Sequence, residues 1–297
     1  MGGRPSSESE RKVSIERVVS IEEARGALAR PRLEGRTIGF VPTMGSLHEG
    51  HLSLVRASRA RCDLTVVSVF VNPTQFGEGE DFESYPRDIE ADTALLGAED
   101  VDILFTPTVA IMYPDGAVTS VDPGPLADLW CGASRPGHFT GVATVVTKLL
   151  NIVRPDLAFF GEKDYQQLKI IERVVSDLDF PTRVVGCPIV RERDGLALSS
   201  RNRYLSAEDR RHALVLSRAL ARVRDAAAAG ETGGAVLMRM LVEDVTAEHG
   251  VTLDYAAVVD DATLRKVTRI QRPARALVAA RVGSARLIDN VALRPTL

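Results

Sequence analysis

Two rhythms of apolar residues run along this chain, and one gives way to the other near residue 189. Before that point, short and nearly continuous apolar runs alternate with stretches whose apolar residues recur every three or four positions. The runs at 36–41, 64–71, 101–105, 157–160 and 182–186 predict five strands. They lack the polar alternation of a half-exposed strand, so they belong in a parallel sheet covered on both faces. Between them, 21–29, 48–62, 87–97, 142–153 and 165–178 predict helices. Ser20 is placed to cap the first, with Glu22 and Glu23 in the turn where the helix dipole favours acids. The span 107–128 is loop-rich, with a short strand expected at 118–121.

After residue 189 the order changes. Ser206 caps a long Ala- and Arg-rich helix ending at Gly230, and a second helix runs over 234–250. Three strands follow at 253–259, 276–282 and 286–290. Arg-Glu-Arg-Asp-Gly (191–195) reads as the hairpin or hinge between the two parts. The expected fold is α/β: a Rossmann-like, doubly wound parallel sheet over 13–189 and a smaller α+β C-terminal domain over 190–297. Residues 1–12 are polar and read as a disordered tail without the apolar stretch of a secretion signal.

Composition narrows the function classes. The chain has 297 residues with a net charge of -3, so no basic field points to nucleic acid. No apolar run is long enough to cross a membrane. Three scattered cysteines, Cys62, Cys131 and Cys187, lack metal-site spacing and point to a reducing compartment, the cytoplasm.

The candidate chemistry lies where predicted strands end. Pro42 closes the first long strand, Gly45 and Ser46 let the chain turn, and His48 and His51 share a face of the helix start. Free N–H groups and the positive end of the dipole make such a turn an anion site. Gly50 leaves room there for a close ligand. A metal pair would need a third ligand, and no nearby Cys/His cluster supplies one. Asn72-Pro73-Thr74-Gln75-Phe76-Gly77 and Gly161-Glu162-Lys163-Asp164 occupy two more strand ends. Ligands of doubly wound sheets bind at that edge. Leu198-Ser199-Ser200-Arg201-Asn202 offers two hydroxyls and a guanidinium suited to phosphate oxygens. Neither a P-loop nor a Gly-x-Gly-x-x-Gly turn is present, nor is a Gly-x-Ser-x-Gly elbow.

His-x-Gly-His resembles the signature of the nucleotidyl-transferring superfamily that includes class I aminoacyl-tRNA synthetases. The wider set resembles one family within it, the pantothenate synthetases, or AMP-forming pantoate–β-alanine ligases. The matching stretches are Pro-Thr-Met-Gly-x-Leu-His-x-Gly-His (42–51), Val-Phe-Val-Asn-Pro-Thr-Gln-Phe (69–76) and Tyr-Pro-Arg (85–87). Arg-Pro-x-His-Phe-x-Gly-Val (135–142), Phe-Gly-Glu-Lys-Asp-Tyr-Gln-Gln (160–167) and Ser-Ser-Arg-Asn-Arg-Tyr-Leu (199–205) complete it. Leu198 stands where the family often has Met, a nearly volume-conserving change.

The resemblance implies two half-reactions. The carboxylate of pantoate attacks the α-phosphate of ATP in the presence of Mg²⁺, and the amine of β-alanine then displaces AMP from the adenylate. It implies that Met44, Gly45, Ser46, Leu47, His48, Glu49, Gly50 and His51 line ATP, with His51 as proton donor. Gly161, Glu162, Lys163, Asp164, Val190, Leu198, Ser199, Ser200 and Arg201 complete the ATP site. Gln75, Gln167, Asn72 and Arg135 are assigned to pantoate and β-alanine, and Asp92 to Mg²⁺, with Asp88 an alternative. His48, His51, Lys163 and Arg201 are the expected catalytic cations. The family implies a homodimer. Two other readings stand beside this one. One is a nucleotidyltransferase of the same superfamily acting on a phosphate-bearing substrate. The other, a catalytically silent scaffold, predicts damage to the motif residues, and all of them are intact.

Overall fold

The structure, a computed structural model, describes residues 15–294; the segment 1–12 expected to be a tail lies outside them. Six strands form one parallel sheet: β1 (Glu16–Val18), β2 (Ile38–Thr43), β3 (Leu64–Val69), β4 (Ile103–Phe105), β5 (Leu157–Gly161) and β6 (Arg183–Cys187). Their order is β1-β4-β3-β2-β5-β6. The chain builds outward from β2 on one side and then returns to add β5 and β6 on the other. The order therefore reverses between β2 and β5, and the crevice beyond their C-terminal ends is where such a sheet binds ligands.

Alternate side chains of these strands enter two apolar layers. Ile38, Phe40, Val66, Phe105 and Phe160 pack with α1 (Ile21–Leu33), α6 (His138–Val153) and α7 (Tyr165–Asp177). Val41, Val67, Leu104 and Phe159 face the other way, onto α2 (Glu49–Arg59) and α3 (Ile89–Ala98). Burial on both faces explains why the central strands are nearly all apolar.

Three features differ from the sequence expectations. The edge strand β1 is a sixth strand, too short to announce itself by periodicity. No strand forms at 118–121, where Val118 is 91% exposed and finds nothing to pack against. Helix α1 passes through Pro31 instead of stopping before it. Pro31 is itself buried, and Arg30 and Arg32 complement the helix's negative end, which offsets the lost backbone bond. A one-turn helix, α4 (Val109–Met112), lies within the loop-rich span, and another, α5 (Cys131–Ser134), precedes α6.

The C-terminal part has α8 (Ala207–Ala228) and α9 (Gly234–Ala247) laid on an antiparallel meander of β7 (Val251–Asp260), β8 (Ala274–Val282) and β9 (Ala285–Leu293). Leu216, Leu220, Leu237 and Leu241 cover one face of it, over Ala276, Val278 and Ala280. The other face sends Ala257, Val259 and Leu277 into the same apolar cluster as Phe40 and Phe160. The small sheet is thus packed between its own helices and the large sheet's helical layer.

Candidate active site

The turn after β2 is shaped by a buried carboxylate. Gly45 and Ser46 both take positive φ, 82° and 52°. Asp92 of α3, only 3% exposed, accepts the Ser46 N–H at 2.9 Å and the Leu47 N–H at 2.8 Å through its two oxygens. Burial raises its pKa against those two bonds. Asp92 was expected to hold Mg²⁺; in the structure each of its oxygens accepts one backbone N–H, which makes it the brace of this turn. The alternative, Asp88, caps α3 by accepting the Ala91 N–H at 3.0 Å.

Helix α2 then starts with two imidazoles in the roles usually taken by Ser and Glu in a capping box. His48 is the N-cap and accepts the Gly50 N–H through Nδ1 at 3.1 Å. His51 reaches back, its Nδ1 3.4 Å from the His48 nitrogen. The rings lie 4.1 Å apart. Two expectations change here. The N–H groups of Gly50 and His51 are not free for an anion, because His48 takes both, one by its ring and one by its carbonyl. And the room left by Gly50 is filled by the His48 ring, since a Cβ there would lie 2.9 Å from Cε1.

Nor are the imidazoles cations. Burial first, and then the Lys163 charge, lower the His48 pKa to about 4. Burial, His48 and Lys163 lower that of His51 to about 3. Both rings are neutral near pH 7. With each Nδ1 accepting from backbone, the proton sits on Nε2, so each ring is a neutral hydrogen-bond donor.

The second turn, after β5, is a 3-10 segment, Glu162–Asp164, leading into α7. Lys163 Nζ lies 3.5 Å from Asp164, and its side chain is 20% exposed. Burial acts to raise the Asp164 pKa, but Lys163 and Arg201 outweigh it and hold the carboxyl below its ordinary value. Lys163 and Arg201 are therefore the fixed positive charges of the site.

One cavity collects most of the expected ATP residues. Met44, His48, Gly50, His51, Gly161, Lys163, Asp164, Val190 and 198–201 line it, with Gln167 and Tyr85. Gly45, Ser46, Leu47, Glu49 and Glu162 do not reach its wall. Glu49 turns outward to pair with Arg56, and Glu162 lies 3.5 Å from Arg275. The segment that carries Leu198 to Arg201 follows a short hairpin closed by the Arg191–Ala197 bridge, as the hinge motif anticipated. Arg201 forks onto Asp81 at 2.9 and 3.1 Å.

A second cavity adjoins the first across Met44, His51, Asp164 and Gln167. Its floor is apolar, built from Phe70, Val142, Val145, Val146 and Leu149, and its polar groups are Asn72, Gln75 and Gln167. Asn72 donates to Gln75 Oε1 at 3.0 Å and to the Gly141 carbonyl at 3.2 Å. The neighbouring glutamines divide their tasks. Gln167 faces the cavities, whereas Gln166 is buried and bonded to the Leu126 and Leu129 carbonyls and the Cys131 N–H.

Arg135 is not on this wall. It grips Glu80 at 2.5 and 2.6 Å and reaches the Gln75 carbonyl at 3.3 Å, beside a third cavity that also touches Lys163, Asp164 and Gln167. His138, which the sequence did not single out, completes the clamp. Its Nδ1 lies 2.7 Å from the Gln75 carbonyl and its Nε2 3.1 Å from Arg135. Burial and Arg135 lower its pKa to about 4. Its signal was present in Arg-Pro-x-His-Phe; Glu80 and Asp81, acids in a polar loop, carried none.

A family model described as pantoate-beta-alanine ligase matches residues 16–292. The chain belongs to the pantoate–β-alanine ligase family. Pantothenate synthetase of Acidobacterium capsulatum is 55% identical over 293 residues, covering 95% of this chain and 98% of that one. The protein of the same name from Heliobacterium modesticaldum is 53% identical, covering 92% and 98%. Among solved structures, pantothenate synthetase of Thermus thermophilus aligns with a TM-score of 0.90 at 51% identity, covering 95% of this chain and all of that one. The pantoate–β-alanine ligase of Francisella tularensis, solved with a β,γ-ATP ligand and β-alanine, aligns at 0.76 and 34% identity, covering 93% and 97%. The family's fold is the one described above, with a parallel sheet followed by a smaller antiparallel one.

Proposed function

We propose that the cavity lined by His48, His51, Lys163 and Arg201 forms pantoyl adenylate, and that the cavity beside it holds pantoate. The chain is an AMP-forming ligase that condenses pantoate with β-alanine at the expense of ATP. What carries the assignment of residues is the contact between the two cavities. They meet at Met44, His51, Asp164 and Gln167, so a carboxylate bound in one would lie beside a phosphate bound in the other.

The chemistry needs alignment and charge neutralisation more than covalent help. In the first half-reaction a pantoate carboxylate oxygen bonds to the α-phosphorus and the bond to pyrophosphate breaks. No proton moves, so neutral His48 and His51 suffice as Nε2–H donors to phosphate oxygens. Lys163 and Arg201 supply the positive charge. Arg201 exchanges Asp81 for phosphate, since both present paired oxygens to its fork. The valines and Leu149 suit the methyl groups of pantoate. Gln75 and Gln167 offer its hydroxyls donors and acceptors without added charge, and Asn72, with both amide hydrogens engaged, holds Gln75 in place. In the second half-reaction the amine nitrogen bonds to the acyl carbon, AMP leaves with the bridging oxygen, and the ammonium proton passes to solvent.

Among the described residues no group of three His, Cys, Asp or Glu stands ready for a metal. Mg²⁺ is read as arriving on the phosphates, as it commonly does, with Asp164 the carboxylate on the cavity wall. When bound, the ion would offset phosphate charge. The proposed assembly is a cytoplasmic homodimer, a reading supported by family resemblance and by the three free thiols. No described helix is long and apolar enough to cross a membrane. The C-terminal part, 190–297, is read as the cover of the site, because it supplies the segment 198–201 to the cavity wall.

Exchange of labelled pyrophosphate into ATP tests this without β-alanine. The expected result is exchange that requires pantoate, with AMP released only after the amine is added. Exchange that ignores pantoate would contradict the proposal.

A further inference from the structure

The turn that carries Lys163 has no side-chain cap of its own, and neither does α7 after it. Its support comes from the small sheet. Asn290 of β9 is 2% exposed, and its amide nitrogen donates to the Glu162 carbonyl at 2.9 Å and to the Lys163 carbonyl at 3.0 Å. Its oxygen accepts Arg275 Nη1 at 2.7 Å. Arg275 of β8, 6% exposed, is fixed in turn by Asp261 at 3.0 Å and by the Tyr165 ring, whose centroid lies 3.5 Å away. Asp289, 4% exposed, accepts the Asn290 backbone N–H at 2.7 Å and takes the Arg191 fork at 2.7 and 2.9 Å. Arg191 directly follows Val190 of the cavity wall.

We propose that Asn290 is a positioning residue for Lys163: its carboxamide fixes the peptides on both sides of the Lys163 Cα and so aims the ammonium group at the phosphates. A buried amide serving only to join two sheets could bond anywhere along the interface. Here both donors fall on the carbonyls of the cation and its predecessor, on a turn that nothing else caps. The arrangement also makes the small sheet a participant in adenylate formation, although none of its strands contacts ATP in this reading. Only an amide fits. A carboxylate would set negative oxygens against two carbonyls, while still accepting from Arg275.

The inference rests on the assignment of Lys163 above, and a double-mutant cycle separates the two. Pantoate-dependent pyrophosphate exchange is measured in the full chain for the parent, Asn290→Asp, Lys163→Ala and the double variant. Lys163→Ala is expected to lose roughly 10²–10³ of the exchange rate, as for one transition-state donor. Asn290→Asp is expected to lose about 10²-fold in rate, as for a misplaced group, with KM for pantoate unchanged. In the Lys163→Ala background the same change should cost less than about threefold, because coupled residues are not additive. Equal losses in both backgrounds, or full activity in Asn290→Asp, would overturn the inference while leaving Lys163 in place. Parent-like exchange in Lys163→Ala would remove the premise itself. Should Asn290→Asp not fold, Asn290→Ser carries the same cycle, since it shortens the donor without adding charge.

Discussion

His48 and His51 show how far a side chain's chemistry depends on its surroundings. In the sequence they are two imidazoles on a phosphate-facing turn, and a cationic role follows naturally. In the structure they are half-buried, ring against ring at a tilt, and beside Lys163, so their pKa values fall from 6.5 to about 4 and about 3. The consequence for stability has a definite sign. Between those values and 6.5 the unfolded chain binds more protons than the folded one, so stability rises with pH and is lost as the medium is acidified from about 6.5 toward 4. Replacing both residues by Gln should flatten the dependence of the unfolding midpoint on pH across that window. An unchanged slope would show that other groups govern the acid limb. The positions were legible because His-x-Gly-His at a strand end is a specific pattern. The charge state was not, since it depends first on burial by the folded chain and then on charges such as Lys163, more than a hundred residues away.

At Gly141 helix α6 meets the loop 72–76 backbone against backbone. A Cβ on Gly141 would lie 2.3 Å from the Thr74 carbonyl oxygen and 2.8 Å from the Gln75 nitrogen, both backbone atoms. Gly141→Ala should therefore push the loop and destabilise the fold by about 1–3 kcal/mol, the usual cost of overpacking. Because the loop carries Asn72 and Gln75, KM for pantoate should rise while KM for ATP stays near the parent value; steady-state kinetics with each substrate varied would show it. A parallel rise in both would mean that the loop does not serve pantoate alone. The central strands and their helices were readable because burial on both faces writes long apolar runs into the sequence. The bracing role of Asp92 was hidden for the converse reason. An acid in a helix looks the same whether it faces a metal, water or two backbone N–H groups, and only the fold brings Ser46 and Leu47 to it.

At the scale of the molecule, the two sheets are joined more firmly than a hinged lid would need. Ala257, Val259, Leu264 and Leu277 of the C-terminal part enter the first core, and Trp130 Nε1 donates to the Leu264 carbonyl at 2.8 Å. The Asn290 network adds a buried polar tie. Nearer the cavity the chain is held more lightly: Asp81 and Arg201 tie the segments 77–88 and 198–201 by an ion pair at 2.9 Å. Trp130 is the sole tryptophan and sits at the junction of the two parts, with Lys266 over its ring at 5.4 Å. Its emission should keep its wavelength when ATP and pantoate saturate the site. A shift would mean that the junction itself opens and closes. The two-part layout could be read from the change of rhythm at residue 189. The tightness of the joint could not, because it depends on which face of each C-terminal strand meets the first core.

The central claim is that pantoate's own carboxylate attacks the α-phosphorus of ATP in the cavity between His51 and Lys163. Pantoate labelled with ¹⁸O in its carboxylate tests it in one turnover with β-alanine present. AMP is expected to carry one labelled oxygen and pyrophosphate none, because the oxygen that bonds to phosphorus leaves with AMP. Label in pyrophosphate, or in neither product, would contradict it.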